Sequence, residues 1–149
     1  MAEVRYSWLD SGNCYRSRCL TVGTGVEDID QSDDKALIIV IPGNPGVDEF
    51  YEAFAVALHE RCGLPVWVLS HLNHVLDPRS PADQHTNTVL LHGQIQHKLA
   101  LLRTFVPSSI PLYWGLFAYY VTVTTCPYCT PLPFVNISMT APLGCCIYV

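Results

Sequence analysis

Six consecutive apolar residues, Ala36–Ile41, form the strongest hydrophobic run in the first half of the chain. The run is short, rich in β-branched residues and free of polar ones, which predicts a strand covered on both faces, as in a parallel sheet. Pro42-Gly43-Asn44-Pro45-Gly46 follows, a stiff turn able to take φ values that other residues avoid. Helical spacing then puts Val47, Phe50, Tyr51, Phe54 and Leu58 on one face and predicts a helix over Val47–Cys62. Asp48 and Glu49 sit in its first turn, His59 and Arg61 in its last, and Gly63 offers a stop. Leu64–Ser70 predicts a second buried strand, with Pro65 tolerated at its start. Two strands joined through one helix should lie parallel with a right-handed crossover. Their carboxyl ends then share a rim, which brings Pro42–Gly46 beside His71–His74, where open α/β sheets bind ligands.

The flanking patterns extend this unit. Val4–Leu9 and Cys14–Val22 read as strands joined by the hairpin signal Asp10-Ser11-Gly12-Asn13, and Gly23–Lys35, with five acids, reads as a solvated loop. Asn73–Asn87 is a polar connection. A second helix is predicted from about Thr88 to Val106, with Leu91, Ile95, Leu99, Leu102 and Val106 as its apolar face and Pro107 ending it. Ile110–Tyr113 begins a further parallel strand. The fold class is α/β: an N-terminal hairpin plus a βαβα unit of a mainly parallel sheet, followed by an irregular apolar tail.

Composition divides the chain at the same place. Every Lys, Arg, Asp and Glu lies at or before Arg103, and residues 104–149 carry no charge and no His. A native globular surface almost always carries charge, so the tail is not built like the body. The expected division is 1–113, part of an α/β domain, and 114–149, a tail that is disordered or membrane-prone. Net charge of −5 without a basic run argues against nucleic acid as a partner. Met1–Asp10 holds Glu3, Arg5 and Asp10 and does not read as a signal peptide, so the default compartment is the reducing cytoplasm and the seven Cys are expected as thiols.

The candidate chemistry is concentrated in the turn. Pro42–Gly46 offers backbone N–H groups at a sheet rim near a helix N-terminus, suited to an oxyanion. No Gly-Lys-Ser/Thr follows it, so it is no phosphate-binding P-loop. His71 and His74 have a His-x-x-His spacing but lack nearby further zinc ligands. The preferred reading is that one imidazole pins the loop by bonding backbone, and no metal or cofactor is expected. His92 and His97, five apart, should face different sides of their helix as surface or cap residues. Ser70 and His71 are adjacent in a strand, point to opposite faces and form no catalytic pair. Cys126-Pro-Tyr-Cys129 has the spacing of a redox dithiol, but Pro131 and Pro133 forbid the helix that would lower the thiol pKa. Asn136-Ile137-Ser138 is a glycosylation sequon without meaning unless the chain is secreted.

Pro-Gly-Asn-Pro-Gly at 42–46, Phe50-Tyr51, Phe54, Ala57-Leu58, Pro65–His71, His74, and Gly93-Gln94-Ile95-Gln96-His97-Lys98-Leu99 to Val106-Pro107 occur in this order. Together they resemble the lipid droplet-associated hydrolase family, a branch of the α/β-hydrolase superfamily, over about Lys35–Leu112. The resemblance implies a partial α/β-hydrolase fold and serine esterase or lipase chemistry on sterol esters or neutral lipid. It also implies a lipid droplet or endoplasmic reticulum location and a role in lipid storage. It makes Asn44 the candidate donor of one oxyanion-hole N–H, supported by Gly43, Pro45 and Gly46. The second N–H would come from the residue after the nucleophile. The family's Gly-His-Ser-x-Gly elbow should follow the strand that begins at Ile110, but no Gly-x-Ser-x-Gly occurs in the sequence. No catalytic Ser, acid or His can be assigned, and the chain is expected to be inactive. A non-catalytic lipid-droplet or membrane-associated module is the alternative. Residues 114–149 then read as the product of an alternative exon, a retained intron or a shifted frame.

Overall fold

The structure is a computed structural model and describes residues 2–12, 15–29, 36–79, 90–116 and 146–148. Strands β1 (Val4–Asp10) and β2 (Arg16–Val22) form the expected hairpin, with Val4 opposite Val22 and Asp10 opposite Arg16. The turn closes where the Gly12 N–H donates to Asp10 Oδ1 at 2.7 Å, with Gly12 at φ 83°, a conformation open to glycine. Strand β3 (Leu37–Ile41) leads through the Pro-Gly turn into one 3-10 turn (Asp48–Tyr51) and then helix α1 (Glu52–Cys62). Gly63 ends α1 at φ 67°, its N–H bonded to the His59 carbonyl at 2.8 Å, as the stop signal requires. Strand β4 (Val66–Leu69), helix α2 (Leu91–Phe105), β5 (Leu112–Leu116) and β6 (Cys146–Tyr148) complete the described elements.

All six strands form one sheet in the order β1-β2-β4-β3-β5-β6. Strands β3 and β4 are parallel, with Ile39 opposite Trp67, and β3 and β5 are parallel, with Ile39 opposite Trp114. The β1–β2, β2–β4 and β5–β6 pairings are antiparallel. The sheet is therefore mixed, where a mainly parallel one was expected. The hairpin does not stand apart but joins the same sheet, β2 lying along β4 with Cys19 opposite Leu69.

Each sheet face has its own core. Leu20, Val22, Val40, Val66 and Val68 pack with Ala55 of α1, flanked by Tyr51, Phe54, Val56 and Leu58. Leu9, Cys19, Leu37, Ile39, Trp67 and Leu69 pack on the other face with Leu101 and Ile110, flanked by Leu102, Phe105 and Val106. This split follows from strand order. β3 connects to β4 on one side through α1, and β4 then connects back past β3 to β5 through α2. Right-handed crossovers in opposite directions put the two helices on opposite faces. The loops leaving β3 and β4 diverge at the carboxyl ends of two adjacent parallel strands, and such a switch point opens a crevice.

Two helix readings need correction. The first turn after the Pro-Gly loop is 3-10, and Phe50, expected on the buried face, is 70% exposed. On α2 the first part of the expected apolar stripe faces outward, Leu91 being 76% exposed, Ile95 47% and Leu99 39%, while its Leu102 and Val106 pack against the core. The helix instead buries Gln94, His97, Lys98 and Leu101, which share the same helical spacing in a different rotation. The backbone beneath α2 leaves the sheet at Ser70–Leu72, and its N–H and C=O groups require partners that apolar side chains cannot provide. The tail reading at 117–145, Cys126, Cys129 and Asn136 lies outside the described residues, as do Asn13 and Cys14.

Candidate functional site

The loops after β3 and β4 bring Pro42–Gly46 and His71–His74 together as expected. The His71 N–H donates to the Gly46 carbonyl at 2.8 Å, and the Gly46 N–H donates to His74 Nδ1 at 2.8 Å. One imidazole thus pins the turn by bonding backbone, and His74 is the one that does so. Its Nδ1 accepts, so the neutral ring carries its proton on Nε2. Burial, and secondarily the charge of Lys98, lowers the His74 pKa and favours that neutral form. Gly46 has no substitute here, since a Cβ at this position would meet the His71 ring at 2.2 Å.

Three residues of the turn carry an N–H, because Pro42 and Pro45 have none. The Gly43 N–H donates to the Tyr51 hydroxyl at 2.9 Å, and that of Gly46 to His74. Among the described residues no acceptor meets the Asn44 N–H. Asn44 is exposed while Gly43 and Gly46 are buried, and the Asn44–Pro45 peptide is cis. The turn therefore satisfies two of its amides internally and leaves the third without an acceptor among the described residues.

The turn is anchored on its other side by an ion pair that the sequence did not reveal. Asp48, read as a helix first-turn acid, is 0% exposed. It accepts from Arg18 Nε at 3.1 Å and from Arg18 Nη2 at 2.7 Å, while Arg18 Nη2 also meets Glu49 at 2.8 Å. The guanidinium stacks over Tyr6 at 5.0 Å from the ring centroid. Such a pair fixes the exit from the turn, and breaking one partner would strand a buried charge.

A third support comes from α2. Gln94 accepts from the Leu72 N–H at 2.9 Å and donates to the Leu72 carbonyl at 3.1 Å, as a neighbouring strand would. Lys98 Nζ donates to the Ser70 carbonyl at 3.0 Å, and the Ser70 hydroxyl donates to the Arg18 carbonyl at 2.6 Å. Burial pulls the Lys98 pKa down to about 7. Burial, reinforced by that neighbouring ammonium, pulls His71 and His97 down to about 4. The Cys19 thiol is pushed up by burial, so it is an inert core group rather than a nucleophile. Periodicity missed Gln94, His97 and Lys98 because it registers only hydrophobicity; their i, i+3, i+4 spacing was the available signal.

His97 is not the surface or cap residue expected of it. It is 4% exposed, and its Nε2 lies 2.8 Å from the Ser17 hydroxyl, itself 1% exposed. The pair has the distance of a nucleophile and its base. It lacks the rest: no substrate can reach it, a ring with pKa near 4 is a poor base at neutral pH, and His97 Nδ1 meets no orienting acid among the described residues. His92 is exposed, on another side of the helix. The Ser70 hydroxyl is committed to the Arg18 carbonyl and forms no pair with His71. Among the described residues there is no cluster of three metal-binding side chains, and no helix long and apolar enough to cross a membrane.

Comparison with known proteins identifies the family. The family profile described as lipid-droplet associated hydrolase matches residues 34–113. A lipid droplet-associated hydrolase of Pongo abelii is 45% identical over 91 residues, covering 52% of this chain and 28% of the relative. The Homo sapiens protein of that name is 43% identical over 90 residues, with the same coverage, and that of Rattus norvegicus is 41% identical over 93 residues, covering 54% of this chain and 29% of the relative. The chain thus spans somewhat over a quarter of the length of these relatives. The matched region holds the turn, the His71–His74 loop, Asp48 and α2, with Arg18 outside it, and the chain belongs to the lipid-droplet associated hydrolase family.

Proposed function

We propose that the chain carries the oxyanion-binding half of a serine esterase site for lipid esters, and that as it stands it hydrolyses none. The observation that carries this reading is the single unengaged amide: at a switch-point crevice, only the Asn44 N–H of the turn lacks an acceptor among the described residues. An N–H fixed by a rigid turn beside a helix N-terminus is suited to stabilise the oxyanion of a tetrahedral intermediate. Gly43, Pro45 and Gly46 hold it in place. Sterol esters and neutral lipid esters are the proposed substrate class, with lipid storage at the droplet surface and the endoplasmic reticulum as the context.

The other half of the chemistry has no residues to perform it among the described ones. Serine catalysis needs nucleophile, base and oxyanion donors in one constellation. The sequence has no Gly-x-Ser-x-Gly, and the one Ser–His hydrogen bond among the described residues, Ser17–His97, is sealed in the core. That the family match ends at residue 113 supports a division between hydrolase sequence and a foreign segment from 114 onward. Purified chain incubated with a fluorophosphonate probe and a short-chain aryl ester should show no covalent label and no burst of product. Labelling, mapped to any serine, contradicts the reading.

One observation favours a second reading, a non-catalytic module on a lipid surface. Leu91, Ile95 and Leu99 form an exposed apolar ridge on α2, beside an open groove of about 630 Å³ lined by Leu99, Leu102, Phe105, Val106, Ile110 and Leu112. Flotation with lipid droplets decides it: binding that Leu91→Lys with Ile95→Lys abolishes supports the module, and binding unchanged in that variant rejects the ridge.

A further inference from the structure

We propose that Gln94 and Lys98 of α2 are positioning residues for the Asn44 amide, acting through the Ser70–His74 corner and the His74–Gly46 hydrogen bond. This rests on reading Asn44 as an oxyanion donor. The chain of contacts is continuous. Gln94, 8% exposed, holds both backbone groups of Leu72, and Lys98, 7% exposed, holds the carbonyl of Ser70. The corner they fix includes His71, whose N–H binds the Gly46 carbonyl, and it leads directly to His74, whose Nδ1 binds the Gly46 N–H. Gly46 is two residues from Asn44. Gly46 is thereby held at both its N–H and its carbonyl by one short loop, which α2 in turn holds by three hydrogen bonds.

The geometry asks more of α2 than packing. A helix that only covered the sheet would turn its apolar stripe inward, as burial favours by about 25 cal/mol per Å². This one leaves Leu91, Ile95 and Leu99 outside and buries an amide, an imidazole and an ammonium instead. Burying polar groups without partners is costly in general, so the rotation must be maintained by the bonds these groups make. The bonds of Gln94 and Lys98 go to the loop behind the turn, and that of His97 goes to Ser17 of β2. Lys98 contributes a second effect, because its charge helps to keep His74 neutral and Nδ1 an acceptor. A protonated His74 would present a donor to the Gly46 N–H and release the turn.

The test is nuclear magnetic resonance on the whole isotope-labelled chain. An N–H···N hydrogen bond transmits a 15N–15N coupling, so the wild type should show one between Gly46 N and His74 Nδ1. Gln94→Leu should lose that coupling and raise Gly46 amide exchange at least tenfold, beyond any change at Gly63, whose N–H bonds the His59 carbonyl far from the corner. Gln94→Glu, which keeps an acceptor for the Leu72 N–H, should restore part of the protection. A folded Gln94→Leu chain with the coupling intact, or with Gly46 and Gly63 deprotected equally, overturns the proposal. Absence of the coupling in the wild type overturns it whatever the variants do. Titration of the wild type with butylphosphonate separates the two levels: an Asn44 amide that does not shift rejects the oxyanion reading, while the Gly46 results still judge the strap.

Discussion

The two helices cover opposite faces of one sheet and do so by different means. α1 lays Phe54, Ala55, Val56 and Leu58 on a bed of Leu20, Val22, Val40, Val66 and Val68, an apolar interface with the Tyr6 hydroxyl donating to Glu52 at its edge. α2 meets Leu9, Cys19, Ile39, Trp67 and Leu69 with Leu101, but at the rim it substitutes Gln94, His97 and Lys98. The apolar interface is non-directional: a conservative substitution there changes stability in proportion to area and cavity. The polar interface is directional, because each hydrogen bond fixes one backbone group at one distance. The first face holds the domain together, and the second determines where the loop behind the turn lies.

That contrast can be broken by substitution. The largest expected effect lies at the Arg18–Asp48 pair: Arg18→Met strands the fully buried Asp48 carboxylate and should cost about 3–5 kcal/mol, read as a fall in denaturant midpoint. Next, Leu20→Ala on the α1 face should cost about 2–4 kcal/mol while leaving the Gly46 and His74 signals where they are. A shift of those signals equal to that of Gln94→Leu would erase the distinction between the faces. Gln94→Leu itself should cost about 1–3 kcal/mol, the price of leaving both Leu72 backbone groups unpaired, and should move the rim.

Acid should attack the polar face selectively. His71 and His97 have folded-state values near 4, below the ordinary 6.5, so the native chain binds fewer protons than the unfolded one between these values. Their contribution is fully present above about 6.5 and is lost as pH falls toward 4. Stability measured by denaturant titration should therefore decline across that window, and His97→Asn should flatten the decline. A profile unchanged by His97→Asn contradicts the assignment. The smallest effect is expected on the outer ridge, where Ile95→Ser should change stability by less than about 0.5 kcal/mol and improve solubility.

The sequence made the strands, the parallel βαβ unit and the meeting of Pro42–Gly46 with His71–His74 legible, because short apolar runs and Gly/Pro turns report local structure directly. It also made a backbone-bonding His at that corner legible. It did not make the rotation of α2 legible. Leu91, Ile95 and Leu99 form a convincing stripe, and only the unpaired backbone at Ser70 and Leu72, a tertiary fact, selects the polar face over it. Asp48 shows the same limit: a first-turn acid in sequence becomes a buried anchor only when β2 supplies Arg18 across the sheet. In the hairpin, local pattern and tertiary need coincide; at the rim they diverge.

The central claim is that the Pro42–Gly46 turn holds two amides closed and offers one. Amide exchange of Gly43, Asn44 and Gly46 in the whole chain at neutral pH tests it most directly. Gly43 and Gly46 should be protected by their bonds to Tyr51 and His74, and Asn44 should exchange at the rate of an open amide. Protection of Asn44 equal to that of its two neighbours would contradict the account.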